Sequence, residues 1–297
     1  MQKVVLGTRG SKLALVQTAL VMDALKKAAP ELQFGTKVIT TKGDVNSSPI
    51  PLDTVGKAWF TGEIEEELMT KKIDVAVHSL KDVPPDITAG SIVVPVMRRE
   101  DPRDVLVSKE NLMLEKLPQG AIVGTDSSRR KAQLLAKRPD LRVVSIRGNV
   151  DTRLRKLREE NYDAIVIAAA GLARLSLLDV VTEYFEIDTF VPAPGQGVLA
   201  AQARADDAQL LQLLSVIRDA ATVAEVQAER AFVDMIGGGC KSPLGACARA
   251  TATALELFGM VAEDDGSGAR FDREKGLIGD AEEMGTRLAQ RMQPKAA

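Results

Sequence analysis

The chain has 297 residues, of which 45% are hydrophobic and only 3% aromatic, and its formal net charge is −2. That length suits two or three domains with aliphatic, alanine-rich cores, and no apolar run reaches the length of a membrane span. The near-neutral charge excludes a general attraction to nucleic acid or membrane, and two cysteines and one histidine (Cys240, Cys247 and His78) are too few for a structural zinc site.

Val4–Thr8 reads as a strand. Ser11–Ala29 reads as a helix, with Leu13, Val16, Leu20 and Ala24 on one face and Pro30 past its end. The N-terminus thus enters a strand at once, without a signal or transit pattern. A soluble cytoplasmic protein with free thiols is therefore expected. Lys37–Thr41 is expected as a second strand, Lys42–Gly62 as a loop rich in Gly, Pro, Asn and Ser, and Glu63–Lys72 as a helix. Strands follow at Asp74–Ser79 and Ser91–Met97. The charged, proline-interrupted stretch Arg98–Arg103 suits a domain crossing.

Strands at Val105–Val107, Ala121–Thr125, Val143–Arg147 and Ala164–Ala168 then alternate with helices at Arg129–Arg138 and Val150–Glu160. Val191–Gly197 suits a second crossing. The remainder reads as a helix at Asp219–Ile236, alternating runs from Ala246 to Ala262 with a turn at Asp264-Asp265-Gly266, and a helix at Ala281–Met292. Strand–helix alternation argues for two α/β lobes with mixed, largely parallel sheets, followed by a small α+β domain. The expected division is residues 1–97 with 196–217, then 98–195, then 218–297.

Ligands of open α/β sheets bind beyond the carboxyl ends of the strands. Four such junctions carry Ser, Thr or Asn beside a cation: Thr8-Arg9-Gly10-Ser11, His78-Ser79-Leu80-Lys81-Asp82, Gly124-Thr125-Asp126-Ser127-Ser128-Arg129-Arg130, and Arg147-Gly148-Asn149-Val150-Asp151-Thr152-Arg153. Between Gly120 and Arg158 there are eleven Lys/Arg against three Asp. Helix N-termini and planar guanidinium groups both suit carboxylate or phosphate. Arg9, Lys81, Arg129, Arg130, Arg147 and Arg153 are therefore expected to face a ligand bearing several negative groups. Taken singly, Ser11 and Ser127 read equally as helix N-caps, Asp82 as a turn-former before Val83-Pro84-Pro85, and His78 as a structural histidine. Cys240 follows three glycines and precedes Lys241, which would favour its thiolate. The same pattern also fits a small residue in a tight turn.

Taken together, the motifs resemble those of the porphobilinogen deaminase family. Thr8-Arg9-Gly10-Ser11 with Gln17 is similar to its opening motif, His78-Ser79-Leu80-Lys81-Asp82-Val83-Pro84 to its active-site signature, and Arg147–Leu154 to its second arginine motif. Ala168–Leu172, Pro194-Gly195-Gln196-Gly197, Glu229–Phe232 and Gly238-Gly239-Cys240 follow in family order. The resemblance implies two lobes like a periplasmic binding protein, and a monomeric transferase that joins four porphobilinogen molecules head to tail into hydroxymethylbilane, with loss of ammonia. It implies a dipyrromethane cofactor held by a thioether at Cys240 and contacted by Lys81, Asp82, Ser127, Arg129 and Arg130. Asp82 would be the catalytic residue, stabilising a cationic intermediate. Substrate would be bound by Arg9, Ser11, Gln17, Lys57, Phe60, Thr125, Arg147, Asn149, Arg153 and Gln196, and product passed to uroporphyrinogen-III synthase. No metal is implied.

The family usually reads Gly-Thr-Ser-Ser-Leu-Arg-Arg where this chain has Asp126 and Ser128, and Asp126 is expected to point outward. Gly62 stands where many relatives have lysine, and Gln202 where many have glutamate. The rival readings are a non-catalytic polyanion-binding protein of periplasmic-binding-protein fold and a nucleic-acid binder. Few aromatics for base stacking weigh against the second.

Overall fold

The computed structural model describes residues 2–41, 61–84, 86–237 and 243–293. The expectations attached to Lys57, Phe60 and Cys240, and to most of the Lys42–Gly62 loop, fall outside these residues. The chain forms two compact units, residues 1–100 with 197–223 and residues 101–196 with 224–297.

In chain order the first segment carries β1 (Lys3–Thr8), α1 (Lys12–Ala28), β2 (Gln33–Val38), α2 (Gly62–Met69), β3 (Val75–Ser79) and β4 (Ser91–Val96). Then come β5 (Asp104–Ser108), β6 (Ile122–Gly124), α3 (Ser128–Lys137), β7 (Arg142–Val144), α4 (Val150–Glu159), β8 (Ala164–Ala168), α5 (Ala169–Arg174) and β9 (Glu183–Tyr184). The rest comprises β10 (Leu199–Arg204), α6 (Ala208–Val216), α7 (Ala220–Ile236), β11 (Leu244–Ala250), β12 (Ala254–Val261), β13 (Arg270–Leu277) and α8 (Ala281–Met292).

Two of the three sheets share one plan. The first unit orders its strands β2-β1-β3-β10-β4, and the second β7-β6-β8-β5-β9. In each, the first three strands pair in parallel, as β1 does with β2 and β3 and β6 with β7 and β8. The fourth runs antiparallel to both neighbours: β10 between β3 and β4, and β5 between β8 and β9. Both odd strands follow a crossing. The third sheet is the antiparallel meander β11-β12-β13. With α7 and α8 it buries Phe232, Leu257, Met284 and Leu288 in a core of its own. Among the described residues, no helix is long and apolar enough to cross a membrane.

Local chemistry explains where the elements depart from their sequence patterns. Helix α1 starts where Ser11 Oγ accepts from Ala14 N–H at 3.3 Å. Its buried face is Gln17, Thr18, Val21 and Leu25, one position round from the expected Leu13–Val16–Leu20–Ala24 stripe, and Leu20 is exposed. Two polar residues can lie inward because both are satisfied: Thr18 Oγ1 donates to Ala14 O at 2.9 Å and Gln17 Nε2 to Ser79 Oγ at 2.8 Å. The second strand is Gln33–Val38 rather than Lys37–Thr41, because its register is set by parallel pairing with β1 from Lys3↔Gln33 to Thr8↔Val38. At the return crossing, Gly197 has φ +89°, and a Cβ there would lie 2.3 Å from Glu100 O. Only glycine lets these two backbones approach so closely.

Candidate functional site

In the first unit, β3 delivers a carboxylate to the surface. The strand ends at Ser79 and tightens into a single 3-10 turn, Leu80–Asp82. Leu80 is buried and its N–H donates to Val198 O at 3.0 Å, so the turn is anchored from below while Lys81 and Asp82 are exposed. Arg9 follows β1, partly exposed, and Ser11 caps α1. Gln17 ties α1 to the end of β3 through Ser79. Beneath the turn lies a buried polar network. Gln202 Oε1 accepts from His78 Nε2 at 3.1 Å, and Gln202 Nε2 donates to Glu65 Oε1 at 3.1 Å and Ser91 Oγ at 2.8 Å. Thr88 Oγ1 donates to Glu65 Oε2 at 2.5 Å. Burial pushes the His78 pKa below its usual value, against the opposing hydrogen bond that its Nε2 donates to Gln202. The histidine is thus a neutral structural donor, and Gln202 serves this network rather than a ligand.

In the second unit, the carboxyl ends of β6 and β7 lead into α3 and α4. Thr125 is buried; its N–H donates to Val144 O at 2.9 Å, and its Oγ1 accepts from Ser127 N–H at 3.3 Å. Ser127 caps α3, accepting from Arg130 N–H at 3.4 Å. Asn149 occupies the N-cap position of α4 without a side-chain cap bond. Arg153 Nε donates back to Gly148 O at 2.8 Å.

Arg129 and Arg130 turn inward and meet Asp104, the first residue of β5. Arg129 Nη1 donates to Asp104 Oδ2 at 2.7 Å, and Arg130 donates to Oδ1 through Nη2 at 2.7 Å and Nε at 2.9 Å. Gln196 completes the shell, its Nε2 donating to Asp104 Oδ1 at 3.0 Å and Pro102 O at 2.7 Å. Burial alone would raise the Asp104 pKa, but the two guanidinium groups outweigh it and hold the carboxyl far below the usual carboxylate range. Burial pushes Arg129 below its ordinary value, with Asp104 opposing. Two buried cations face one buried anion, which leaves one positive charge in surplus. Among the described residues, Arg129 Nε is buried with no hydrogen-bond partner. That guanidinium N–H is chemically suited to donate to a carboxylate oxygen.

Asp126 does not simply point outward. Its Oδ2 accepts from Arg147 Nε at 3.1 Å and its Oδ1 from Ser145 Oγ at 2.5 Å.

Sequence reasoning missed Asp104 because it opens the apolar run Val105-Leu106-Val107 and reads as a strand edge. Its partners are 25 and 26 residues away, so no local spacing reports it. The available signal was a pair of adjacent arginines with no nearby acid on their own helix. Glu229 was named only as part of a motif. It is fully buried and joins two segments, with Oε2 accepting from Gly195 N–H at 2.7 Å and Oε1 from Ala248 N–H at 2.8 Å. Cys247 is buried in β11, in a cluster with Val191, Phe258 and Met260.

One sheet thus ends in an exposed carboxylate, and a second, similarly ordered sheet carries a buried pair of arginines over a single acid. The family description "porphobilinogen deaminase, dipyromethane cofactor binding domain" matches residues 4–212, and "porphobilinogen deaminase, C-terminal domain" matches residues 223–294. The chain is 48% identical over 288 residues to a porphobilinogen deaminase of Roseiflexus castenholzii, covering 97% of this chain and 94% of the relative. It is 50% identical over 268 residues to one of Geobacillus kaustophilus, covering 90% and 86%. Among solved structures, a YaeC-family lipoprotein of Enterococcus faecalis aligns with a TM-score of 0.44 at 13% identity, over 77% of this chain and 96% of that one. This chain belongs to the porphobilinogen deaminase family.

Proposed function

We propose that this protein is a transferase of tetrapyrrole (haem and porphyrin) biosynthesis, joining four porphobilinogen molecules head to tail and releasing ammonia to give hydroxymethylbilane. The observation that carries the reading is the surplus positive charge of Arg129 and Arg130 over Asp104, in a chain of this family. Porphobilinogen carries an acetate and a propionate, so each added ring brings two more carboxylates. A growing chain of them needs several cations, not one phosphate site.

The dipyrromethane group, when linked to Cys240, supplies a covalent primer that keeps the growing chain from diffusing away. Arg129, Arg130, Ser127 and Lys81 hold its carboxylates, and the buried unpartnered Arg129 Nε is a donor of the right kind. Arg9, Ser11, Gln17, Thr125, Arg147, Asn149, Arg153 and Gln196, with Lys57 and Phe60, bind and orient substrate, Gln196 and Gln17 through the groups they fix. Asp82 stands on an anchored, exposed turn. There its carboxylate accepts hydrogen bonds from pyrrole N–H groups, stabilises the positive charge that develops as ammonia leaves, and takes up the proton lost on coupling. We assign residues 1–97 with 196–217 to the lobe bearing Asp82, 98–195 to the arginine-rich lobe and 218–297 to the domain bearing Cys240. The protein works as a cytoplasmic monomer and passes its product to uroporphyrinogen-III synthase.

The test is incubation with porphobilinogen, following ammonia and hydroxymethylbilane together. Four ammonia per product supports the reading. Binding of porphobilinogen without ammonia release contradicts it and favours a polyanion-binding protein.

A further inference from the structure

We infer that Asp126 sets the affinity of the arginine-rich unit for its ligand: its carboxylate competes with the substrate's carboxylates for the guanidinium of Arg147. The inference rests on the proposed role of Arg147 in binding substrate.

Asp126 lies between the end of β6 and the cap of α3, and both its oxygens are used by the segment that follows β7. Oδ1 accepts from Ser145 Oγ at 2.5 Å and Oδ2 from Arg147 Nε at 3.1 Å. Ser145 and Arg147 are two residues apart, so one extended segment presents both donors to one acid. That segment is itself held, because Tyr162 donates its hydroxyl proton to Ser145 O at 3.1 Å. The Asp126 carboxylate is therefore aimed at Arg147 rather than free to swing away.

The contrast with Asp104 decides what such a pair can do. Asp104 is wholly buried, and the side chains of Arg129 and Arg130 are 6% and 7% exposed. That pairing is part of the core, and no ligand displaces it. The side chains of Arg147 and Asp126 are 32% and 33% exposed. An ion pair in that setting is weak and exchanges with solvent, so an arriving carboxylate can take the guanidinium. To do so it must displace Asp126 or share Arg147 with it at close range to a like charge. Either way the ligand binds more weakly than to Arg147 alone, and chains that must later leave are not held too tightly.

The experiment is steady-state turnover of porphobilinogen by the intact protein carrying Asp126→Ser, alone and together with Arg147→Ala. Removing the competitor should lower KM about two- to fivefold, the range set by an exposed ion pair, while kcat stays within about twofold. Asp126→Asn, which keeps the shape and removes the charge, should shift KM in the same direction. In the Arg147→Ala background the substitution should leave KM unchanged. A KM that is unchanged or raised by Asp126→Ser, in a protein whose thermal unfolding matches the parent, overturns the inference. So does an equal fall in the Arg147→Ala background. If Arg147→Ala by itself alters neither KM nor kcat, the reading of Arg147 fails, and that result is told apart by the single variant.

Discussion

The two five-stranded sheets share a strand order and arm their carboxyl ends by opposite means. In the first unit an acid stands on an exposed turn, and beneath it His78, Gln202, Ser91 and Thr88 are hydrogen-bonded around the single carboxylate of Glu65. In the second the corresponding residues are the cations Arg129 and Arg130, and what lies beneath them is the buried acid Asp104. A buried network built on uncharged donors around one acid fixes geometry and brings no cation of its own. A buried acid under two arginines fixes geometry and also sets the charge left over for a ligand. The same fold therefore supports an exposed acid on one sheet and holds arginines with charge to spare on the other.

The sharpest way to break this comparison is to remove the buried acid. Asp104→Ala strands two buried cations and should cost about 3–5 kcal/mol, read by urea denaturation. A loss below about 1 kcal/mol would mean that the arginines relax to water and that Asp104 is not their anchor. Asp82→Ala should do the reverse, leaving the denaturation midpoint within error while turnover falls about 10²- to 10⁴-fold. Substantial residual turnover would end its assigned role.

The network around His78 is pH-sensitive. A histidine whose folded-state pKa is depressed contributes stability that is complete above its unfolded value of 6.5 and is lost as pH falls below it. His78 is the only histidine of the chain. Stability should therefore drop between pH 7 and pH 5 by at most about 1.4 kcal/mol per pH unit from this residue, and His78→Gln should flatten that slope. Gln202→Glu should raise the His78 pKa by placing a carboxylate on it, visible by NMR as a shift of the single imidazole titration. The smallest effect belongs to the surface. Glu159→Ala removes an exposed i,i+4 pair with Arg155 and should cost no more than about 0.5 kcal/mol.

The legible parts of this molecule are those with local signals. Val4–Thr8, Ala164–Ala168 and the Ser11 and Ser127 caps could be read from periodicity and chemistry, and the motif residues from their position after strands. The illegible parts depend on distant partners. Strand β10, Leu-Ala-Ala-Gln-Ala-Arg, has the composition of a helix, and becomes a strand because β3 and β4 bury all six of its residues. The inward turn of Arg129 and Arg130 was hidden because charged residues are ordinarily placed in water, and the acid that overrides this stands on another element. The internal partners of Gln17 and Gln202 were illegible for the same reason: Ser79 lies 62 residues from Gln17, and Glu65 and Ser91 lie 137 and 111 from Gln202.

The central claim is that this chain carries a covalent two-ring primer on Cys240. Intact-mass measurement of the purified protein tests it most directly, with Cys240→Ser measured alongside. The account predicts a mass above that of the bare chain by two porphobilinogen-derived pyrrole units, and its disappearance in the variant. A bare-chain mass that persists after incubation with porphobilinogen would contradict it.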